Sequence, residues 1–266
     1  MDGRVLSTTL SLSLLALTGC DPFASCGPLT EWSGALFGLH GTAGPDDVPL
    51  QYSRWSGCGE DPAAVTVHAA GGDAELEAAI EDVVAEWNGA LEEASAPLLL
   101  LLGNPEPYLD FDCDTDAAVL TGGRYTVARD EVVVCLHSPA YVEQNWGENQ
   151  TGNARLLRTS DCACEITRAA VGVDPTILED SEGQPLPHRA ELLRHVLAHE
   201  LGHVVGLAHP LGEELYGAPL LMAAHSDFDA VDASSMTPTD AEVSGLRCLY
   251  GEGCVADLIP ADGEPH

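Results

Sequence analysis

Three histidines and one glutamate lie close together in the string HELGHVVGLAH, residues 199–209. His199 and His203 are four residues apart, so on a helix both imidazoles would leave the same face, separated by only about 40° around the axis. Gly206 can adopt the backbone conformation that ends a helix and turns the chain, which lets His209 approach as a third ligand. Three neutral histidines leave the fourth position of a tetrahedral zinc ion to water. The pattern therefore predicts a catalytic rather than a structural metal site.

Glu200 follows the first of these histidines directly, so its carboxylate would point to the side of the metal, where water would sit. Zinc lowers the pKa of such a water from about 16 towards roughly 7 and polarises a carbonyl under attack. We therefore interpret Glu200 as a general base for metal-assisted hydrolysis. HExxH alone also arises by chance on amphipathic helices, but Gly206 and His209 at their required offsets make an accident improbable. His195, one turn earlier, falls off the shared face and is expected to be packed or solvated.

The same residues resemble the signature of the metzincin clan of zinc endopeptidases, HExxHxxGxxH followed by a methionine turn. The resemblance implies that His199, His203 and His209 bind zinc. It also implies that Glu200 is the general base and proton shuttle in peptide-bond hydrolysis.

Two methionines could form the turn, Met222 in APLLMAAH and Met236 in SSMTPTD. We choose Met222, because its surroundings look like the ALM stretch of matrixins. Some metzincin families carry a tyrosine ligand two residues after this methionine, whereas this chain has Ala224. That departure favours a matrixin-like site with three histidines, although His209-Pro210 is similar to serralysins. His225 could add a polar group near the zinc or could simply face solvent.

Hydrophobic periodicity predicts the elements that must position these residues. The active-site helix should run from about His188 to Leu207. Alternating or continuous apolar runs predict strands, and a regular apolar stripe predicts a helix at Ala74–Glu93. The five leucines at 98–102 should form a strand buried on both faces. Thr237-Pro238-Thr239-Asp240 has the form of a capped helix start, with Pro238 at the first helical position and an end near Tyr250. The predicted strands are 63–69, 98–102, 131–137, 155–160 and 165–173.

These elements and the resemblance together predict an α+β, zincin-like fold. We expect a mixed twisted sheet of about five strands packed on two helices, with the active-site helix, a methionine turn and a C-terminal helix. The strands at 155–160 and 165–173 should be antiparallel. In the clan an antiparallel edge strand borders the cleft and pairs with the substrate backbone, and we expect 155–160 to be that strand.

The charge balance of the 266-residue chain excludes some classes of partner. Ten Lys and Arg stand against 43 Asp and Glu, a formal charge of -33, so binding to nucleic acid or to an anionic membrane surface through charge is not expected. Cationic substrates or calcium suit this charge better. DFDCDTD at 110–116 offers alternating carboxylates for calcium, but it lacks the glycine and terminal glutamate of an EF-hand loop.

The N-terminus has the form of an export signal. Residues 1–19 contain Arg4 and an apolar stretch too short to span a bilayer, and they end before Cys20 in the sequence LTGC. This ending resembles the lipobox of bacterial lipoproteins, which implies acylation of Cys20 and a place in the cell envelope, facing outside the cytoplasm. The alternative is a plain secretory signal. We further expect a lipid-anchored tether at 20–62, a catalytic domain at 63–251 and an acidic tail at 252–266.

Eight cysteines remain when Cys20 is set aside, and an even number in an exported chain favours disulfides. Cys113 with Cys135 and Cys248 with Cys254 are the local pairs we expect. Cys26 lies in a CGP string that is faintly similar to the matrixin cysteine switch, but a disulfide is the simpler interpretation because a switch would leave an odd thiol.

The leading functional hypothesis is a monomeric zinc endopeptidase that acts on protein or peptide substrates and reaches the membrane only through its lipid anchor. The alternative hypothesis is a surface lipoprotein that binds a partner and uses zinc only to hold the domain together. Glu200 argues against the alternative, because a structural site has no use for a carboxylate beside the metal.

Overall fold

Five strands and four helices make up the described part of the chain, an α+β arrangement. A computed structural model describes residues 63–115, 127–146, 150–158, 165–207, 220–222 and 237–250, together with Trp55 and His209. The strands are β1 (Ala63–Ala69), β2 (Leu98–Leu102), β3 (Glu131–Leu136), β4 (Gly152–Arg158) and β5 (Ile166–Val173). The helices are α1 (Ala74–Glu93), α2 (Pro139–Asn145), α3 (Arg189–Val204) and α4 (Asp240–Tyr250). Short 3-10 helices lie at Glu106–Tyr108 and Pro175–Leu178.

The strands form one mixed sheet in the order β2-β1-β3-β5-β4. The first four in this order pair in parallel, and β4 pairs antiparallel with β5. The predicted mixed sheet of about five strands is therefore confirmed, as is the antiparallel pair. Strand β4 (residues 152–158) lies at one edge of the sheet. Its pairing with β5 begins with Gly152 opposite Val173.

Helix α1 forms where the sequence predicts it, because its apolar residues recur at helical spacing and face the sheet. The Asp73 side chain caps its start by accepting hydrogen bonds from the backbone N–H groups of Glu75 at 2.9 Å and Leu76 at 3.1 Å. The buried stripe contains Leu76, Ile80, Val83, Val84, Trp87 and Leu91. Helices α1 and α3 pack against each other, and Trp87 Nε1 donates to the carbonyl of Ala198 at 2.9 Å.

The prediction that the five leucines form a strand buried on both faces is wrong. Strand β2 is an edge strand that pairs only with β1 in the described sheet. Leu98 and Leu100 are buried, whereas Leu99 and Leu101 are 48% and 41% exposed on the other face. A side-chain amide of α1 covers the outer edge: Asn88 donates to the Leu100 carbonyl at 2.8 Å and accepts from the Leu100 N–H at 2.9 Å.

The face of the sheet opposite the helices carries a second, smaller apolar cluster. It joins Val133 and Cys135 of β3 to Tyr108 and Phe111 from the chain that crosses this face. Cys113 and Cys135 form a disulfide, as predicted from their spacing. This bond fixes the acidic stretch at 110–115 against the end of β3.

The start of α4 differs from the prediction. The helix begins at Asp240, and Thr239 rather than Thr237 caps it, so Pro238 is outside the helix. The Thr239 carbonyl accepts the first helical hydrogen bond, from Val243 N–H at 3.0 Å. Thr239 N–H donates to Glu242 Oε2 at 2.8 Å, as in a capping box over the four residues Thr239–Glu242. Pro238 lies one position before the N-cap residue. The prediction placed it at the first helical position and therefore started the helix too early.

Several predictions fall on residues outside the described part of the chain. They concern the export signal, Cys20, the tether apart from Trp55, the acidic tail, and residues Ala224, His225 and Met236. Cys254 of the expected Cys248–Cys254 pair also lies outside it. Within the described ranges no helix has the length and apolar character needed to cross a membrane.

Candidate metal centre

Helix α3 brings the three predicted histidines together. His199 and His203 lie on one face of the helix, and the chain turns directly after it, at Val205 and Gly206. Gly206 has a φ of 107°, a backbone conformation that favours glycine, so the turn depends on this residue. Beyond it His209 returns to the helix, and one nitrogen of each histidine lies within 4.8 Å of the others. His195 is buried in the same helix and does not belong to this group.

Two of the histidines are oriented by backbone carbonyls. His199 Nδ1 lies 2.8 Å from the carbonyl oxygen of Leu221, and His203 Nδ1 lies 2.8 Å from that of Leu207. A carbonyl oxygen can only accept, so each Nδ1 carries the proton and donates it. In the neutral ring Nε2 is then unprotonated and available as a metal ligand.

Two of the three nitrogens have the spacing of ligands to one divalent cation. His199 Nε2 and His209 Nε2 are 3.1 Å apart. A tetrahedral zinc ion about 2.0–2.1 Å from each ligand would separate two nitrogens by about 3.3 Å, which is close to this distance. His203 is buried, His199 is partly exposed and His209 is exposed. The group therefore spans from the core to the surface, and it could hold a metal ion that solvent and a ligand can reach.

Glu200 follows His199 on α3, and it is buried away from water. Its side chain is 5% exposed, and Oε2 has no hydrogen-bond partner among the described residues. Burial raises the pKa of the Glu200 carboxyl to about 8, and a hydrogen bond from the Ala154 N–H partly opposes this shift. A buried carboxylate oxygen that accepts no hydrogen bond is stabilised by a proton or by a nearby cation. Glu200 is therefore compatible with a metal ion close to it.

Met222 is fully buried directly under the helix that carries the histidines. A Cβ atom built on Gly202 would lie 2.2 Å from Met222 Sδ and 2.8 Å from Trp87 Cζ2. The methionine therefore packs against the helix between His199 and His203. Leu221, the residue before it, supplies the carbonyl that orients His199.

Two residues beside the site were not predicted. Gly152, at the start of β4, leaves the space that the Glu200 carboxylate occupies: a Cβ atom there would lie 2.5 Å from Glu200 Oε1. The strand predicted here began at residue 155, so Gly152 lay outside it and nothing in the sequence signalled this close approach. Glu242 of α4 accepts a hydrogen bond from the Met222 N–H at 3.1 Å. The Thr-x-x-Glu capping box marks Glu242 in the sequence, but nothing local shows that it reaches Met222.

The acidic stretch at 110–116 does not form a cation site within the described residues, where the histidine triad is the group of three that could hold a metal. Asp114 is instead bonded to protein donors, with Oδ1 at 3.0 Å from both His137 Nδ1 and the Ser138 N–H. Asp116 lies outside the described part of the chain.

No family model matches this sequence, and no curated protein matches it. Among solved structures, one titled "Structure of myroilysin" aligns with 59% of this chain and 52% of that chain, at 12% sequence identity and a TM-score of 0.29. This chain therefore spans about half the length of the chain in that structure. A TM-score of 0.29 is too low to assign a fold or a function, and we infer the metal centre from the three histidines alone.

Proposed function

We propose that this protein is a zinc-dependent endopeptidase. The observation that carries the proposal is the group of three histidine nitrogens within 4.8 Å of one another, together with the buried carboxylate of Glu200, the residue after His199. One oxygen of that carboxylate has no hydrogen-bond partner among the described residues. The resemblance of residues 199–209 to the metzincin signature supports the same reading of these residues.

His199, His203 and His209 would hold the zinc ion. Zinc at this position would lower the pKa of a water molecule and polarise the substrate carbonyl. Glu200 takes the proton of the water that attacks the scissile carbonyl and later gives it to the leaving amine. The Ala154 N–H donates to this carboxylate, and Gly152 leaves the space that Oε1 occupies. Oε2 has no hydrogen-bond partner among the described residues, and it would be the oxygen that exchanges the proton.

The position of β4 supports a peptide as the substrate. This strand lies at the edge of the described sheet and contacts Glu200 through Gly152 and Ala154. An extended peptide that pairs with its outer edge would run past the Glu200 carboxylate. The formal charge of -33 favours peptides with basic residues over acidic ones.

Cleavage of a mixed peptide library by the purified full-length protein tests this function. We expect Glu200→Ala to bind zinc like the wild type and to lose about 10²–10⁴-fold in kcat/KM, the range for loss of a general acid-base group. Glu191→Ala is a matched control, because Glu191 is an exposed glutamate in the first turn of the same helix. Equal cleavage by the Glu200 and Glu191 variants would remove the mechanism. Zinc binding without cleavage by any variant, and unfolding on chelation, would favour the partner-binding lipoprotein.

We further propose that the enzyme is anchored to the bacterial cell envelope through an acylated Cys20, facing outside the cytoplasm. The LTGC sequence supports this anchor. Metabolic labelling with a radioactive fatty acid should mark the wild type and not Cys20→Ser. Release of both proteins into the medium in equal amounts would contradict the anchor.

A further inference from the structure

A single peptide group connects the metal centre to a buried carboxylate on another helix. The carbonyl of Leu221 accepts the hydrogen bond from His199 Nδ1 at 2.8 Å. The N–H of Met222 belongs to the same peptide group and donates to Glu242 Oε1 at 3.1 Å. The chain of bonds therefore runs from Glu242 through the Leu221–Met222 peptide to His199.

Glu242 is buried, and its carboxylate oxygens accept hydrogen bonds. Its side chain is 0% exposed, and its described hydrogen bonds come from three donors: the Met222 N–H, the Thr239 N–H and the Thr239 hydroxyl. An ionised carboxylate only accepts hydrogen bonds, and all three described partners of Glu242 are donors. Glu242 therefore places a negative charge at the far end of the peptide group that holds His199.

Burial of the Leu221–Met222 peptide group allows the charge of Glu242 to act on His199. Leu221 and Met222 are 1% and 0% exposed, so water does not screen the peptide group. A carboxylate that accepts from the N–H of a peptide polarises the group and makes its carbonyl oxygen a stronger acceptor. A stronger acceptor at Nδ1 fixes the ring of a histidine and raises the basicity of Nε2, the nitrogen that would face the metal.

We propose that Glu242 is a positioning residue for the metal centre, acting through the Leu221–Met222 peptide on His199. The proposal rests on the proposed function, because it takes the three histidines as zinc ligands. Glu242 also closes the capping box of α4, so the helix start and the metal ligand depend on the same side chain.

His203 provides an internal comparison. Its Nδ1 donates to the Leu207 carbonyl, four residues further along the chain, and not to the peptide that Glu242 contacts. Loss of the Glu242 charge should therefore change His199 and leave His203 unchanged. A residue that only stabilises the fold would not separate the two rings in this way.

The test compares full-length wild type with Glu242→Gln, which keeps the shape of the side chain and removes its charge. The first measurement is the zinc Kd, from competition with a chelator of known affinity. We expect it to rise about tenfold, the lower end of the range for groups that hold a metal ligand from outside, because Glu242 acts one bond further away. The second is the proton NMR shift of the two Nδ1–H groups. We expect that of His199 to move upfield and that of His203 to stay.

Thr239→Val is the matched control. It removes the hydroxyl that donates to Glu242 Oε2 and to which the Ala241 N–H donates, but it leaves the charge and the Met222 bond in place. This variant should weaken the helix cap and keep the zinc Kd within about twofold of the wild type. Glu242→Asp is the second test variant if the glutamine protein does not fold. It keeps the charge, but the shorter side chain cannot reach both Thr239 and Met222, so the Kd should rise and the His199 signal should move.

Two results would overturn the proposal: a zinc Kd in the Glu242 variant within twofold of the wild type, or equal movement of the His199 and His203 signals. A wild-type protein that binds no zinc would instead overturn the proposed function. The two failures are thus distinguishable, since the second appears before any variant is made.

Discussion

Replacement of Gly152 by alanine should move the Glu200 carboxylate while leaving the metal ligands in place. The new methyl group would lie 2.5 Å from Glu200 Oε1, 2.7 Å from Cγ and 2.8 Å from Cδ, and these are the three atoms nearest to it. Ordinary contact begins near 3.4 Å, so Oε1 must retreat by about 0.9 Å. The backbone of Gly152 does not have a positive φ, so alanine fits the strand itself.

The effect on catalysis should be much larger than the effect on stability. The carboxylate is the end of a flexible side chain, so its displacement should cost about 1 kcal/mol of unfolding free energy. A misplacement of about 1 Å at a reacting group costs about 10²-fold in rate, or about 2.7 kcal/mol of transition-state stabilisation. We therefore expect kcat to fall about 100-fold, with KM and the zinc Kd changed by less than about threefold.

Peptide cleavage and urea unfolding, measured on the same preparation, check this expectation. Gly89→Ala is the control, since Gly89 lies within α1 and a Cβ atom there meets nothing within 4 Å. That variant should keep full activity and gain up to about 1 kcal/mol from helix propensity. Activity of Gly152→Ala within threefold of the wild type would refute the reasoning, as would an equal loss in the Gly89 variant.

Two further predictions concern groups outside the histidine triad. Trp55 is 0% exposed and its Nε1 donates to the Val204 carbonyl at 2.8 Å, so Trp55→Phe should cost about 1–3 kcal/mol in urea unfolding; a loss under 0.5 kcal/mol would contradict this. Burial lowers the pKa of His137 below its usual 6.5, and the bond to Asp114 only partly opposes the shift. The unfolded chain then binds the His137 proton more tightly, so the unfolding free energy should fall as the pH drops through about 6.5. His137→Asn should flatten the change in urea midpoint between pH 7 and pH 5, and an unchanged slope would count against the assignment.

The part of the site that could be predicted is the part encoded over a short span. His199 and His203 share a helix face because of their spacing, and Gly206 turns the chain just after that helix, so His209 can return to them. The apolar stripe of α1 was likewise visible as periodicity, and the antiparallel pair β4 and β5 consists of strands that follow each other in the chain. In each case the determining contacts lie within one element or between neighbours in the chain.

The two errors have different causes. Pro238 suggested a helix start, but Thr239 is the N-cap residue and its capping box with Glu242 places the start at Asp240, so a second local signal outweighed the proline. The leucines of β2 have the composition of a central strand, but the strand order places them at an edge, so alternate leucines are exposed. That outcome depends on neighbours in space and cannot be seen in composition.

The residues missed beside the site have the same explanation, and they show how α3 is held. Gly152 contacts Glu200 across 48 positions, and Glu242 reaches Met222 across 20. At the end of α3, Trp55 bonds the Val204 carbonyl and the Tyr250 hydroxyl bonds the Val205 carbonyl at 2.8 Å, so distant parts of the chain satisfy the last carbonyls before the turn to His209. A motif can specify which side chains face a metal. The accuracy with which they face it depends on contacts that the fold supplies from both sides of that motif, and the start of the predicted catalytic domain at residue 63 would separate Trp55 from the helix it supports.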